Sequence, residues 1–512
     1  MAATKKVSSN ERGWRSEFER AFTEGRYKDA ARIYDLSAGP SERLDVTIRA
    51  AQAHLRFDPP KTLRLLLSLK IPASKGREPI ERDALLAEAF ARTNDFESAD
   101  TRLSAALDAA RRLKDAELVA MVGYRFVRRH LQAEDPATAR RALELARKGQ
   151  SHKARIYALH AEALILSYEE RVKDQADRLV ELLRSIDPQK AEFANLRAWG
   201  THNLAVLARE LYLPDAVAEI ERQLGGLPWP ADFDHNRFQA FKALAWAKAM
   251  QGDYFNAFRH LKAASEAADT TAWKVVAGCD RAYLARAFGE HRWSRVELVE
   301  AEQLANNVDW HATLNEERIG LLLLAELFGE IDTARAAMYL AKYRELGEVK
   351  SPLFYRHDAR RAAFAQYSTG VVELGLGNKK RGLAELRDAR KVFERFGYDF
   401  RVARCLVDEY GATGDQELLP VIEEKLRNYR QSWLMTQLRA RLDRPEVPLP
   451  PMQRKVFAEV CAGKSTAEIS HALGRSEYTI SNHIKQIFKT FEVRSRSALV
   501  AEAVRRGMLK TG

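Results

Sequence analysis

Between Ser476 and Phe491 the apolar residues Ile480, Ile484, Ile487, Phe488 and Phe491 fall within one stripe when drawn at 100° per residue. Tyr478, Ser481, Asn482, Lys485 and Lys489 cluster on the opposite side. This spacing predicts an amphipathic helix running through about Phe491. Upstream, Val456, Phe457, Val460 and Cys461 recur at helical spacing, and Gly463 follows as a residue that ends a helix in the left-handed conformation. Ser465 and Glu468 form Ser-x-x-Glu, a capping box that opens a second helix whose apolar side is Ile469, Ala472 and Leu473. Gly474 ends that helix, and Ser476 caps the next with Glu477 at its positive end. The tail therefore reads helix, turn, helix, tight glycine turn, helix.

A different pattern fills the rest of the chain. One turn-like signature recurs, as GRYKDA at Gly25, NDFESA at Asn94, EDPATA at Glu134, GDYFNA at Gly252, GEIDTA at Gly329 and GNKKRG at Gly377. Each begins with a turn residue and carries a small residue five positions on. In five of them a second small residue follows after seven: Ala99 and Ala106, Ala139 and Ala146, Ala257 and Ala264, Ala334 and Ala341, Gly382 and Ala389. Seven residues are about two helical turns, so each pair shares one face where a neighbouring helix can approach closely. Weaker copies near Asp58, Arg171, Pro214, Gly289 and Gly414 give the spacing expected of arrays of helical hairpins.

This pattern resembles the tetratricopeptide repeat, with Gly252, Tyr254, Ala257 and Ala264 on that family's turn glycine, aromatic and two small positions. The resemblance implies an all-α solenoid, placed at residues 16–442, of about eleven hairpins. It also implies a groove that receives a protein, peptide or small-molecule partner. Trp199, Trp229, Trp246, Trp273, Trp293 and Trp310 fall in its middle third, where core filling between hairpins outweighs a role as a ligand-binding surface.

Charge separates the two regions. The chain of 512 residues carries a formal charge of +12, and from Leu449 onward 11 Lys and Arg stand against 5 Asp and Glu. Half of the excess thus sits in the tail, which points to an anionic partner there. Cys279, Cys405 and Cys461 are too far apart for a disulfide framework or a paired-cysteine metal site. The opening MAATKKVSSNERGW lacks an apolar signal-peptide core, and the run around Leu321 is short and holds Glu326. A cytoplasmic protein without membrane contact is expected, with residues 1–15 flexible.

The stretch AGKSTAEI, Ala462 to Ile469, contains Gly-Lys-Ser but is no phosphate-binding loop. Ala458 stands where the first glycine is required, and a helix replaces the preceding strand. No HExxH or GxSxG occurs either, so neither an enzyme nor a cofactor or metal is expected. His483 lies beside the apolar stripe without a second ligand at metal spacing and is expected to pack at its edge.

The run from Leu449 to Leu509 resembles the LuxR-type (GerE-type) four-helix DNA-binding domain, with Leu449, Pro451, Arg454, Val456, Gly463, Glu468, Ile469, Leu473, Gly474 and Ser476 matching. Thr479, Ile480, His483, Ile487, Val493 and Arg496 match as well. The resemblance implies a helix-turn-helix over residues 449–512 whose recognition helix is Ser476 to Phe491. Ser481, Asn482 and Lys485 then stand where the family reads base edges or adjacent phosphates. Lys464, Thr466, Thr479, Lys489, Arg494 and Arg496 stand as phosphate contacts, and Ser476 caps the helix that carries them. Gln453, Ser481 and Thr490 depart from the family's usual acid and lysines, which bears on the operator sequence. In the family the last helix pairs two domains, so Leu499, Val500, Ala503 and Val504 are expected at a homodimer contact.

Pro445, Pro448, Pro450 and Pro451 block helix continuation and predict a semi-rigid linker over residues 443–451. Together these readings predict a bacterial-type transcription regulator whose tail binds double-stranded DNA as a dimer and whose solenoid receives a signal. A repeat scaffold whose tail docks on protein, for example RNA polymerase, is the alternative.

Overall fold

The computed structural model describes residues 4–38, 42–69, 76–187, 193–211, 213–225, 229–329, 331–347, 359–442, 449–491 and 493–505. Among them there are helices and no strands. The chain divides into two compact units, Met1–Trp433 and Leu434–Gly512. Most of the proline-rich stretch, residues 443–448, lies outside the described residues. The division falls after Trp433, earlier than the expected end of the solenoid at 442. Trp433 opens the helix Trp433–Leu442, and its buried ring packs edge-on to Tyr283 and Phe400 of the repeat unit.

Eleven consecutive helix pairs build the first unit. They are Thr4–Thr23 with Tyr27–Ser37, Leu44–His54 with Pro59–Ser68, Glu78–Arg92 with Phe96–Leu113, and Ala116–Gln132 with Pro136–Ala146. His152–Tyr168 with Val172–Ser185, Ala194–Leu211 with Pro214–Gly225, and Asp234–Met250 with Tyr254–Ala267 follow. Thr271–Ala287 with His291–Ala305, Ile319–Phe328 with Thr333–Leu346, Ala359–Gly375 with Lys379–Arg395, and Asp399–Thr413 with Leu418–Lys425 complete the array. The first helix already starts at Thr4, inside the stretch expected to be flexible; no proline or glycine interrupts it before Gly13.

The turn inside each pair explains why the sequence folds this way. Gly25, Asn94, Glu134, Glu170, Gly252, Gly289 and Gly377 all adopt positive φ, between 59° and 84°. The next residue is the N-cap of the second helix. At Asp95, Asp135 and Asp253 the carboxylate accepts the backbone N–H three residues on, which satisfies a donor the helix leaves unpaired. Four residues after each cap comes the residue that faces the first helix. Ala30, Ala99, Ala139, Ala257 and Gly382 occupy this position, all of them buried. Ser294 and Ala301 fill the equivalent positions after Gly289, and the Ser294 hydroxyl donates to the Ala282 carbonyl at 2.7 Å.

One expected pair is displaced. Ala334 and Ala341 are both exposed. In GEIDTA the cap is Asp332, three residues after Gly329 rather than one, so that Ala336 takes the inward position and Tyr339 and Leu340 are buried beyond it. Gly329 correspondingly has φ −52°, outside the left-handed region. The tryptophans divide as core and edge: Trp246, Trp273 and Trp310 are buried, Trp199 and Trp229 pack half-buried against the first core cluster, and Trp293 is exposed.

The array winds back on itself, which no local sequence pattern anticipates. Pro230 lies against Gly25, and the Lys28 N–H donates to Asp232 at 2.8 Å, joining the first pair to the middle of the unit. Glu210, buried in the sixth pair, accepts from Arg401 of the eleventh at 2.7 Å and from Arg209 at 2.6 Å. Tyr429 donates to the Leu211 carbonyl beside it. Arg404 fills the interior next to this seam, donating to Tyr283 at 2.8 Å and Glu326 at 2.6 Å. The rings of Tyr283, Tyr367 and Trp433 surround its guanidinium at 4.7 to 5.4 Å.

Two stability outcomes follow. Gly382 in the tenth pair faces Gly370, and an added Cβ would meet the Gly370 carbonyl at 2.9 Å and Leu374 at 2.7 Å. Overpacking of ~1–3 kcal/mol should outweigh the ~1 kcal/mol helix-propensity gain, so Gly382→Ala lowers the urea midpoint. Gly13→Ala, with nothing within 4 Å, should raise it. Burial would raise the Glu210 carboxyl, but Arg401 and Arg209 outweigh it and bring it down to about 2. Because the folded value lies below the unfolded one, this stabilisation is present above about pH 4.5 and is lost as pH falls toward 2. Glu210→Gln should cost about 3–5 kcal/mol at pH 7 and flatten the acid limb of a Tm-versus-pH curve.

Candidate nucleic-acid interface

The second unit holds four helices beyond Trp433–Leu442: Pro451–Cys461, Thr466–Leu473, Glu477–Phe491 and Arg496–Arg505. Their core is a single cluster in which Val456, Phe457, Ile469, Ile480, Ile487 and Phe491 are buried. The Phe457 and Phe491 rings stack at 5.1 Å with their planes 9° apart, tying the first helix to the third.

The turns are those the sequence requires. Gly463 has φ 84° and Gly474 φ 59°. The Ser465 side chain accepts from the Glu468 N–H, and the Glu468 carboxylate accepts the Ser465 N–H at 2.7 Å. This bond holds the exposed Glu468 carboxyl below its usual range. Ser476 caps the third helix by accepting the Thr479 N–H at 3.2 Å, and the two hydroxyls sit 2.8 Å apart.

With one stripe spent on the core, the other face of Glu477–Phe491 is left to solvent. Lys485 and Lys489 are exposed, Ser481 and Asn482 half-exposed, and Tyr478 is 77% exposed. Arg494, just beyond the helix, is exposed as well. Lys485, Lys489 and Arg494 form no ion pair among the described residues. Thr466 and Thr479 are half-buried near the ends of their helices. The site is thus a convex strip of donors and cations on one rigid helix, suited to polyanion contact rather than to enclosing a small molecule.

Two of the expected cations are differently used. The Arg496 guanidinium donates to the Lys464 carbonyl and, at 2.8 Å, to the Thr466 hydroxyl, so it braces the fourth helix against the turn that opens the second. The Lys464 ammonium pairs with Glu459 at 2.5 Å. Leu499 and Ala503, expected at a homodimer contact, are fully buried in this unit's own core. They stand four residues apart and so share the inward stripe of the fourth helix. Val500 is half-buried, and the Val504 side chain lies outside the described residues. His483 is half-buried beside the apolar stripe, its Nδ1 without a hydrogen-bond partner.

Lys455 and Arg475 are exposed cations not singled out from the sequence, and Arg454, matched to the family pattern without a role, is exposed as well. Their position in or beside helix ends, together with the local charge excess, was the signal available for them. Gln453, one of the departures from the family pattern, donates to Gln486 at 2.7 Å and so links the first helix to the exposed side of the third. Among the described residues no helix is long and apolar enough to cross a membrane, and no group of three or more His, Cys, Asp or Glu could hold a metal ion.

Known proteins compare as follows. No curated protein sequence matches the chain. Similar solved structures include the apo form of the quorum sensor NprR from B. thuringiensis, at 13% identity over 71% of this chain and 99% of that one with a TM-score of 0.42, and the Cut9–Hcn1 hetero-tetramer of APC/C, at 13% identity over 83% and 98% with a TM-score of 0.28. The model of the family described as bacterial regulatory proteins, luxR family, matches residues 447–503. The C-terminal unit, with its capped helix-turn-helix and bare third helix, therefore carries a GerE domain of the luxR family, behind an all-α body of tetratricopeptide-like hairpins.

Proposed function

We propose that the chain is a transcription regulator that binds double-stranded DNA through the exposed face of Glu477–Phe491, with the repeat unit receiving a signal. The observation that carries this reading is the unpaired, solvent-facing set of Lys485, Lys489 and Arg494 around a helix whose other face is committed to the core. A helix of this kind, entered through a tight turn, fits the major groove, and its hydroxyl and amide side chains reach base edges while its cations meet phosphates. Ser481, Asn482 and Lys485 take the base-edge positions, with Tyr478 beside them. Lys489, Arg494 and Thr479 take the backbone, joined by Arg475. Arg496 acts through Thr466 and the Lys464 carbonyl, presenting the turn rather than meeting phosphate itself. Ser476 fixes the start of the helix.

Binding to two half-sites as a dimer completes the proposal, with Val500 and Ala501 among the apolar residues that the fourth helix does not bury. The reading is of a non-catalytic, cytoplasmic protein. Its repeat unit takes a peptide, protein or small-molecule signal.

The test is duplex binding by the intact chain as salt is varied. A log–log slope of roughly 0.9 per phosphate neutralised is expected, and Lys489→Ala should weaken specific and random duplexes alike and shallow that slope by about one. Lys485→Ala should cost about 1–3 kcal/mol on specific duplex only. Equal losses on both duplexes would overturn the division of roles. Absence of salt-dependent duplex binding, with capture of RNA polymerase in its place, would favour the adaptor reading.

A further inference from the structure

The second helices of the eighth and ninth pairs, His291–Ala305 and Thr333–Leu346, lie side by side. Arg335 and the Tyr339 hydroxyl of one donate to Glu302 of the other at 2.9 and 3.0 Å. Their outer side carries large apolar groups in water. Val296, Val299 and Met338 are 51%, 47% and 52% exposed, and Trp293 is exposed beside them.

The register of the repeat marks this face as particular to these pairs. Counted from the buried small residue that faces the first helix, the positions two and five residues on point away from that helix. In the eighth pair they are Val296 and Val299, and in the ninth Met338 and Ala341, all exposed. The third pair has Thr101 and Ser104 there, the fourth Arg141 and Glu144, and the tenth Ala384 and Arg387. Those faces are suited to solvent, whereas a contiguous apolar patch marks an interaction site. The two helices span 15 and 14 residues. At 1.5 Å per residue and 8–10 Å between axes they present about 20 by 20 Å, the extent of a weak and reversible contact.

Charge indicates what covers it. Along His291–Ala305 the exposed Arg292 and Arg295 precede Val296 and the exposed Glu300 follows it, and none of the three charges is in an ion pair among the described residues. One half of the helix is thus cationic and the other acidic, so the face complements itself when a second copy lies on it head to tail. Arg292 and Glu300 stand four residues to either side of Val296, about one turn each way. Val296 and Met338 hold the same place in their repeats, so a single two-fold axis can cross both helices at these residues. It sets the arginine of each copy opposite the glutamate of the other, twice.

We propose that two copies of the chain pair through this face of their repeat units, the helices antiparallel about Val296 and Met338. The inference stands on the surface of the repeat unit, whether or not the C-terminal domain binds duplex.

Sedimentation velocity of the intact protein, without DNA and over a concentration series, tests it. A monomer–dimer equilibrium is the expected result. Val296→Glu and Met338→Glu each put two carboxylates on the axis and should weaken the dimer at least tenfold, which is 1.4 kcal/mol, with little change in Tm because both positions are exposed. Arg292→Glu and Glu300→Arg each oppose like charges twice and should weaken it as well, while the double swap restores it. That rescue requires the same face on both partners, which an unrelated protein does not supply. A single monomeric species at every concentration, a dimer that survives Val296→Glu, or a double swap as weak as the single ones overturns the proposal. Duplex binding by the same variants keeps the readings apart, since loss of DNA binding leaves the self-association of the repeats as measured.

Discussion

One backbone device recurs in both units: in seven of the helix pairs and at both turns of the C-terminal domain, the chain that has finished one helix reverses through a left-handed residue and presents a cap before the next starts. In the repeats the left-handed residue directly precedes the cap, as in Asn94–Asp95 and Gly252–Asp253. In the C-terminal domain one residue intervenes, Lys464 between Gly463 and Ser465 and Arg475 between Gly474 and Ser476. Glycine supplies positive φ at no steric cost, whereas Asn94, Glu134 and Glu170 adopt it at a penalty that the caps and packing around them must offset. The same local device thus yields a stacked hairpin in one context and a helix-turn-helix in the other.

What the hairpins then stack against is decided by size at the position four residues after the cap. Small side chains there let backbones approach until each leaves no room for a Cβ beside the other's carbonyl, as at Gly370 and Gly382. Dispersion and apolar burial across these faces supply most of the stability. The buried ionic seam of Glu210, Arg401 and Arg404 has another effect. Buried pairs add little over an apolar replacement, because the desolvation of both ions cancels much of their attraction. Removing one partner is costly, however, because it leaves a buried charge unmatched. The seam thus ties the eleventh pair to the sixth.

Much of this was legible in the sequence because it is local. The capping box at Ser465, the glycine turns and the apolar stripe of the third helix are all short-range patterns, and each lies where its spacing implied. Errors arose where a pattern could be read in two registers. GEIDTA carries a small residue at the expected offset, but only the choice of Asp332 as cap reveals that Ala336 faces inward. Leu499 and Ala503 looked surplus because the size of a small core cannot be counted from one helix, and the fourth helix turned out to close it. The hydrogen bonds of Arg496 to the Lys464 carbonyl and the Thr466 hydroxyl were not legible, because a cation's partner is not written beside it. The seam joins residues from helices that only the fold brings together, and no periodicity marks it.

The bare face of the third helix also bounds how the domain can work. In the proposed reading three exposed cations meet the backbone, Lys489, Arg494 and Arg475, and would neutralise about three phosphates for a salt slope of roughly −2.7, which is shallow for a protein that must find one site in a genome. Doubling the contacts through a second copy doubles the slope and makes the spacing of two half-sites part of the recognition. With Leu499 and Ala503 consumed internally, the outward apolar side chains of the fourth helix among the described residues include the half-buried Val500 and the exposed Ala501, a small area. Helix pairing of that size is weak by itself, since only the surplus over lost rotational and translational freedom appears as affinity. Dimerisation would then depend on DNA as a template or on contacts made by the repeat unit, and either route would let a signal bound in the repeats alter occupancy without changing a single residue of the reading face.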